Sequence, residues 1–381
     1  MFQRTEEQDA LAEAAREFCE ATLGPTLRAD DDAERFRPEL MVALGEQGLC
    51  GIPTPEAFGG LGLGYFDYSI VLEQIARVSA SYAVSVAVTG LPQVILNTFG
   101  TGDQKAKWLG GLASGELLGA FALSEAGSGS DAASLRTTAR REGDGYVLDG
   151  SKFWITHGGY ADVYVVMART GGPGARGVSA FLVPGDAPGL SFGKKEQKMG
   201  LRASPTVEVV LDGVEVPADA LIGEEGMGFT VAMAALDSGR ITIGATSVGL
   251  CQASVESATA YATQRVQFNR PIIDFQGVGF LLADMAVQTD AARLLVHRAA
   301  ALKDAGLDFS AEAAMAKVAA TDAAMAVSTN AVQVFGGMGY TREVAVERYM
   351  RDAKVMQIVE GTNQIQRLVI SRHLKRRFGS D

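Results

Sequence analysis

A carboxylate, Glu360, stands between Val359 and Gly361 at a break in the segment VMQIVEGTNQIQRLVISRHL, where the next helix opens with Thr362 and Asn363. An acid at such a place either contacts the free N–H groups of the following helix or serves as a general base held out of water. On this segment alone the helix-end contact is sufficient. A second segment, FALSEAGSGSD at residues 121–131, is dense in glycine and hydroxyls. Gly127, Gly129 and Ala132 fit a degenerate G-x-G-x-x-A dinucleotide fingerprint, but that site needs a strand before it and a helix after it. Hairpin chemistry follows instead, which argues against a nicotinamide site. What remains is a plain turn, or a loop whose main-chain N–H groups face a phosphate or a flavin edge.

Four more segments each admit a bland and a chemical reading. In SKFWITHGGYAD, Trp154, Ile155 and Thr156 end a strand. They are either core or a surface for a flat cofactor, with Thr156 hydrogen-bonded to it. In ALDSGRI, Asp237 and Arg240 lie one helical turn apart and form a local salt bridge or meet a ligand. RVQFNRPIIDFQ breaks a helix at a proline-containing turn, where Arg265 is a charged helix end or a phosphate ligand. In QVFGGMGY, two glycines after a helix cap it or let a ligand approach the backbone closely.

The elements that must position these residues fall in three stretches. Residues 1–117 read as helical. Thr5 with Gln8, and Thr101 with Gln104, have capping-box spacing. Pro38 suits the first position of a helix through ELMVALGEQG, and Asp67 predicts the cap of one helix through YSIVLEQIARVSASYAVSVAV. In residues 118–222, RREGDGYVLDGSKFWIT alternates apolar and polar residues between Gly/Asp turns. ADVYVVMAR, GVSAFLVP and PTVEVVLDGVEVP are short β-branched runs with no helical segment between them. That predicts a compact antiparallel β domain, barrel or sandwich, and not βαβ units. Residues 223–381 return to helix in Ala-rich stretches, apolar on more than one face. Such helices pack as a four-helix bundle and against other subunits. The expected class is α+β, with an N-terminal helical domain, a middle antiparallel β domain and a C-terminal helical bundle.

Composition narrows the function. With 381 residues, 47% hydrophobic and 21% charged, the chain can build two or three packed domains. A net charge of -11 with no basic stripe argues against nucleic-acid binding. Cys19, Cys50 and Cys251 are scattered and there are three histidines, so neither a disulfide framework nor a metal site is expected. No run reads as a membrane span, and the chain opens straight into an acidic amphipathic helix with no leader. A cytoplasmic protein is the expectation.

Taken together and in order, FALSEAGSGSD, KFWITHG, ALDSGR, RVQFNRPI, FGGMGY and VEGTNQIQR resemble the acyl-CoA dehydrogenase family, most closely its short-chain, butyryl-type members. The resemblance covers nearly the whole chain. It implies noncovalent FAD and α,β-dehydrogenation of a short- or medium-chain acyl-CoA to the trans-2-enoyl-CoA. Glu360 would be the α-proton base, with hydride transfer to flavin N5. By position, Phe121, Leu123, Ser124, Gly129 and Ser130 would line the flavin, with Ser130 also near the acyl-CoA. Trp154, Ile155 and Thr156 would flank it, and Thr362 and Gln364 would complete that side. Arg265, Phe268, Gln276, Gln333, Val334, Gly336 and Gly337 would contact FAD partly across a subunit boundary. Asp237, Arg240 and Gly361 would meet substrate. The resemblance also implies a homotetramer and electron transfer flavoprotein as acceptor. An acyl-thioester oxidase, a reductase or a pathway-specific desaturase on the same fold is the alternative. Two positions depart from the family pattern: Ala126 stands where proline is common, and Asn269 where glycine is usual. Some relatives carry the base near ALDSGR, at the place of Gly239. Ser81 stands where dicarboxylate-specific relatives have arginine.

Overall fold

The computed structural model describes residues 4–379. Helices α1 (Glu6–Thr22), α2 (Leu27–Asp32), α3 (Pro38–Glu46), α4 (Tyr65–Val78), α5 (Ala80–Phe99) and α6 (Gly102–Ala113) fill the first third. Both capping boxes close, at Thr5 with Gln8 and at Thr101 with Gln104, and Pro38 opens α3. The single helix expected from Asp67 onward is instead two. α4 begins at Tyr65, with Asp67 in its first turn. Its orphan N–H groups are taken by a distant carboxylate: Tyr65 N and Phe66 N donate to Asp304 at 2.6 and 2.8 Å. Gly64 permits this, because a Cβ there would collide with that carboxylate. The break falls at the extended residue Ser79, whose side chain caps α5 by accepting from Tyr82 N.

By composition α5 is long and apolar enough to cross a membrane, which corrects the expectation that no run reaches that length. The physical reason for its apolarity is internal. It packs against α6, β1 and the first C-terminal helix, and 67% of its most apolar window is buried.

Strands β1 (Gly119–Ala122), β2 (Thr138–Glu142), β3 (Gly145–Thr156), β4 (Val163–Arg169), β5 (Val178–Pro184), β6 (Leu190–Phe192), β7 (Thr206–Pro217) and β8 (Leu221–Ile222) form one sheet. Its order is β6-β7-β3-β2-β4-β5-β8, with β1 beside β4. The hairpin-connected neighbours pair antiparallel, as the alternation predicts. β1, however, runs parallel to β4, with Gly119 opposite Val163, and β2 touches β4 in the same sense at Thr138 and Arg169. The parallel pair departs from the wholly antiparallel expectation because β1 enters from the helical segment, with no hairpin turn to set its direction.

The last third holds α7 (Gly228–Gln264), a small hairpin of β9 (Val266–Gln267) and β10 (Arg270–Pro271), and then α8 (Gln276–Asp304), α9 (Ser310–Phe335), α10 (Val346–Met356) and α11 (Asn363–Phe378). One apolar core joins both helical regions: Tyr68, Leu72 and Ile75 of α4 share it with Val248, Met285, Val296 and Ala320. A second core lies within the sheet around Leu148, Tyr164, Phe181 and Val209. A third fastens the sheet to α5, α6 and the start of α7, through Leu91, Leu109, Leu123, Val165 and Ala235. That third core brings the Gly/Ser loop beside α7.

Candidate active site

The break between α10 and α11 is held in an uncommon conformation. Glu360 has φ +54° and Gly361 φ +83°; a non-glycine residue there persists only where its surroundings fix it. Gln366 Nε2 donates to the Glu360 carbonyl at 3.0 Å and to the Gly361 carbonyl at 2.9 Å. Lys317 Nζ donates to the Gly361 carbonyl at 3.0 Å and to Asn363 Oδ1 at 2.8 Å. Thr362 caps α11 by accepting from Ile365 N, so this helix end is satisfied without the acid.

The Glu360 side chain turns toward α7. A Cβ on Gly239 would lie 2.5 Å from Glu360 Oε2 and 3.4 Å from Leu91 Cδ2. Among the described residues, Oε2 is buried with no hydrogen-bond partner. The carboxyl therefore packs against Leu91 and the bare backbone at Gly239. Burial raises its pKa from the ordinary 4.5 to about 7, against the opposing pull of Arg240 and Lys317. A carboxyl with that proton affinity, set against apolar neighbours, can act as a base near neutral pH. Arg240 is buried and paired with Asp237, so the bland salt bridge exists. The same guanidinium also acts on Glu360.

The Gly/Ser loop is fastened to β3 twice. Phe153 N donates to the Ser124 carbonyl at 2.8 Å. Lys152, with a fully buried side chain, donates to the Leu123 carbonyl at 3.1 Å and to Glu125 at 2.8 Å. Glu125 also accepts from Arg136 N, Thr137 N and the Thr137 hydroxyl. Burial alone would raise the Glu125 carboxyl; Lys152 and these donors outweigh it and hold it below its ordinary value. Glu125 and Ser128 exchange main-chain hydrogen bonds across the turn that contains Ala126. No proline is needed to close it. Gly129 and Ser130 are exposed, Phe121 and Ser124 half-buried, and Leu123 buried.

At the end of β3 a bulge interrupts pairing with β7 between Lys152 and Ile155. Trp154 sits in it with φ +63°, and its indole is turned outward, 63% exposed. A bulge re-aims one side chain without disturbing its neighbours: Ile155 stays in the sheet core, and Thr156 is half-buried at the strand end.

The remaining candidates gather elsewhere. Arg265, Phe268, Gln276, Gln333, Gly336 and Gly337 are exposed and Val334 is buried. They cluster about the far end of α7 and the last turn of α9. At ~1.5 Å per residue, roughly 37 Å of helix separates Arg240 from Arg265. Within one chain these two sets do not meet. Asn269 takes φ +62° and Phe268 φ +51° at the hairpin tip. Asparagine thus serves where glycine was expected, and Phe268 is 87% exposed. Gln364 is exposed on the first turn of α11, beside half-buried Gly361 and Thr362.

Residue typing alone passed over Lys152, Glu125, Lys317 and Gln366. Two had a readable signal. Lys152 falls in the inward phase of β3, in step with buried Tyr146 and Leu148. Lys317 is a lone charge among small apolar residues in AEAAMAKVAA.

Family profiles match in the order of the fold. Residues 5–116 match the acyl-CoA dehydrogenase N-terminal domain, residues 120–214 its middle domain, and residues 226–375 its C-terminal domain. The mitochondrial short-chain specific acyl-CoA dehydrogenase of Mus musculus is 46% identical over 378 residues, 98% of this chain and 92% of that protein. The solved structure of butyryl-CoA dehydrogenase from Megasphaera elsdenii superposes with a TM-score of 0.96 at 42% identity, covering 98% of this chain and 99% of that one. A structure of PigA with FAD and proline gives 0.95 at 30% identity, over 99% and 100%. The chain belongs to the acyl-CoA dehydrogenase family of oxidoreductases.

Proposed function

We propose that this protein is an FAD-dependent dehydrogenase of a short- or medium-chain acyl-CoA, with Glu360 as the base that removes the α-proton. One observation carries the base assignment: a buried carboxyl oxygen without a hydrogen-bond partner among the described residues, facing Gly239 and Leu91 with a proton affinity near neutral. A thioester α-proton is only weakly acidic, so the base must be unencumbered and its pKa near working pH. The main-chain N–H of Glu360 donates to no group among the described residues. It is therefore free to donate to the thioester oxygen, where charge builds as the proton leaves. The held break keeps that N–H and the carboxylate on one residue, so donor and base are aligned together.

The chain suits FAD. Trp154 offers an exposed flat face, and a Cβ at Gly127 or Gly129 would meet nothing within 4 Å, so main-chain N–H groups there are approachable. When bound, FAD accepts the β-hydrogen with its electron pair. Phe121, Leu123, Ser124, Gly129, Ser130, Trp154, Ile155, Thr156, Thr362 and Gln364 hold it on the Glu360 side. Arg265, Phe268, Gln276 and residues 333–337 lie too far away in the same chain, so they serve a neighbouring subunit's site. A homotetramer accommodates this and covers Phe280 and Val287 of α8 and Phe378 of α11, each at least 65% exposed in the single chain. Asp237, Arg240, Ser130 and Gly361 line the substrate path. Ser81, buried on α5, offers no cation to a distal carboxylate, which favours a monocarboxylic acyl group. Electron transfer flavoprotein is the acceptor and the cytoplasm the compartment.

The test is Glu360→Gln, loaded with FAD and mixed with butyryl-CoA without oxygen. The variant is expected to keep flavin and bind ligand without bleaching. Bleaching at the wild-type rate removes Glu360 from the role.

A further inference from the structure

Lys317 is a fully buried ammonium on a face of α9 that is otherwise small and uncharged: Ala313, Ala314, Ala320 and Thr321 surround it in the helix. Burying such a charge is costly unless it is paired, yet its two hydrogen-bond acceptors are neutral. They are the Gly361 carbonyl and the Asn363 side-chain oxygen, at 3.0 and 2.8 Å, both in the break that carries Glu360. A neutral donor would satisfy both acceptors, so hydrogen bonding alone gives no reason for a charge.

The surrounding charges supply the reason. From α7, Arg240, though paired with Asp237, also acts on Glu360 and does so more strongly than Lys317. From α9, Asp322 is engaged by Arg367, Gln357 and Asn363. From α5, the uncharged Leu91 lies beside Gly239. Glu360 is the larger of the two opposite charges acting on Lys317, ahead of Asp322, and among the described residues no hydrogen bond occupies its Oε2. Each group acts on the other: burial lowers the Lys317 ammonium to about 8, with Glu360 opposing the fall.

We propose that Lys317 is a positioning residue for the base: it holds the Gly361 main chain so that the Glu360 carboxyl turns toward Gly239, and its buried charge, together with Arg240, favours the ionised form without occupying the oxygen that must take the proton. A contact salt bridge would stabilise the anion equally well, but it would block that oxygen. A charge set one residue behind it does not. The inference rests on the reading of Glu360 as the base.

The experiment uses FAD-loaded enzyme. The Glu360 carboxyl is titrated by infrared difference spectroscopy, with the Glu360→Gln spectrum subtracted to assign the band. Lys317→Met removes the charge and the donor, whereas Lys317→Gln removes the charge and keeps a donor for the Gly361 carbonyl. Both are expected to raise the Glu360 midpoint by about one pH unit or more, roughly tenfold in proton affinity. The pH profile of single-turnover bleaching by butyryl-CoA is expected to move by the same amount. A midpoint unmoved in either variant, with only thermal stability reduced, overturns the proposal and leaves Lys317 a structural residue. If neither variant folds, the coupling is read from the other side, because it is reciprocal. Glu360→Gln should then lower the Lys317 midpoint by the same factor, seen by NMR of labelled lysine, and an unchanged lysine overturns the proposal. Rapid bleaching by Glu360→Gln would defeat the base assignment by itself, while the carboxyl titration still reports on Lys317, so the two failures are separable.

Discussion

Replacing Lys152 with methionine tests whether the buried pair with Glu125 holds the Gly/Ser loop. The side chains are 0% and 10% exposed and 2.8 Å apart. Methionine keeps the stem volume but strands the carboxylate. Stranding one partner of a buried pair costs about 3–5 kcal/mol. Glu125 keeps three other donors, at 2.6, 2.9 and 2.6 Å, which places the charge cost near the lower end. The Leu123 carbonyl loses its 3.1 Å donor as well, worth about 1 kcal/mol. The sum is about 4 kcal/mol at pH 7, below the value of about 8 to which burial draws the Lys152 ammonium. Adding Glu125→Gln removes the stranded charge and should return at least half of the loss. Urea unfolding gives the stability change, and flavin fluorescence on dilution reports whether the loop still retains FAD. A single-variant cost under about 1 kcal/mol, or a double variant less stable than the single one, would refute this account.

Further outcomes follow from the same geometry. Between the ordinary 4.5 and about 7, folded Glu360 holds a proton that the unfolded chain has released. Stability should therefore fall as pH rises through that window. Glu360→Gln removes this cost, so it should exceed wild type by up to about 3 kcal/mol at pH 8 and match it near pH 4 in urea titrations; equal stability at both pH values contradicts the burial. Gly239→Ala places a methyl 2.5 Å from Glu360 Oε2. Stopped-flow bleaching should slow by about 100-fold with flavin retention unchanged, and a wild-type rate would mean the carboxyl has room to move. Asp304→Ala leaves two α4 N–H groups unbonded and should cost about 1–2 kcal/mol in thermal unfolding; no change would mean water caps the helix equally well. Arg265→Ala should weaken FAD retention by about tenfold, a result that full occupancy at low protein concentration would exclude.

Much of this architecture is legible in the residues because short-range chemistry decides it. The capping boxes at Thr5 and Thr101, Pro38 at the head of α3 and the alternation in β3 and β4 each act over a few residues. The start of α4 was not legible, since its cap is Asp304. Nor was the split at Ser79, where a serine in an apolar run serves as a cap instead of a helical residue. At the site, the break at Glu360 could be read from Gly361 and Thr362. That the carboxyl turns toward Gly239 and away from α11 could not, because Gln366 and Lys317 impose it from other turns and helices. Trp154 was visible as an aromatic at a strand end; its outward turn depends on a bulge against β7.

The tie between Tyr65 and Asp304 spans 239 positions, and it sets a timetable for synthesis. At about 5–20 residues per second, roughly 10–50 s pass between the emergence of α4 and that of its cap. During that interval Tyr68, Leu72 and Ile75 await partners that α7, α8 and α9 have yet to deliver. The sheet, whose inner core is drawn from its own strands, can settle first. The nascent amino-terminal helices thus need shielding until the ribosome has nearly finished, and a truncated transcript would yield an aggregating product rather than a smaller working one.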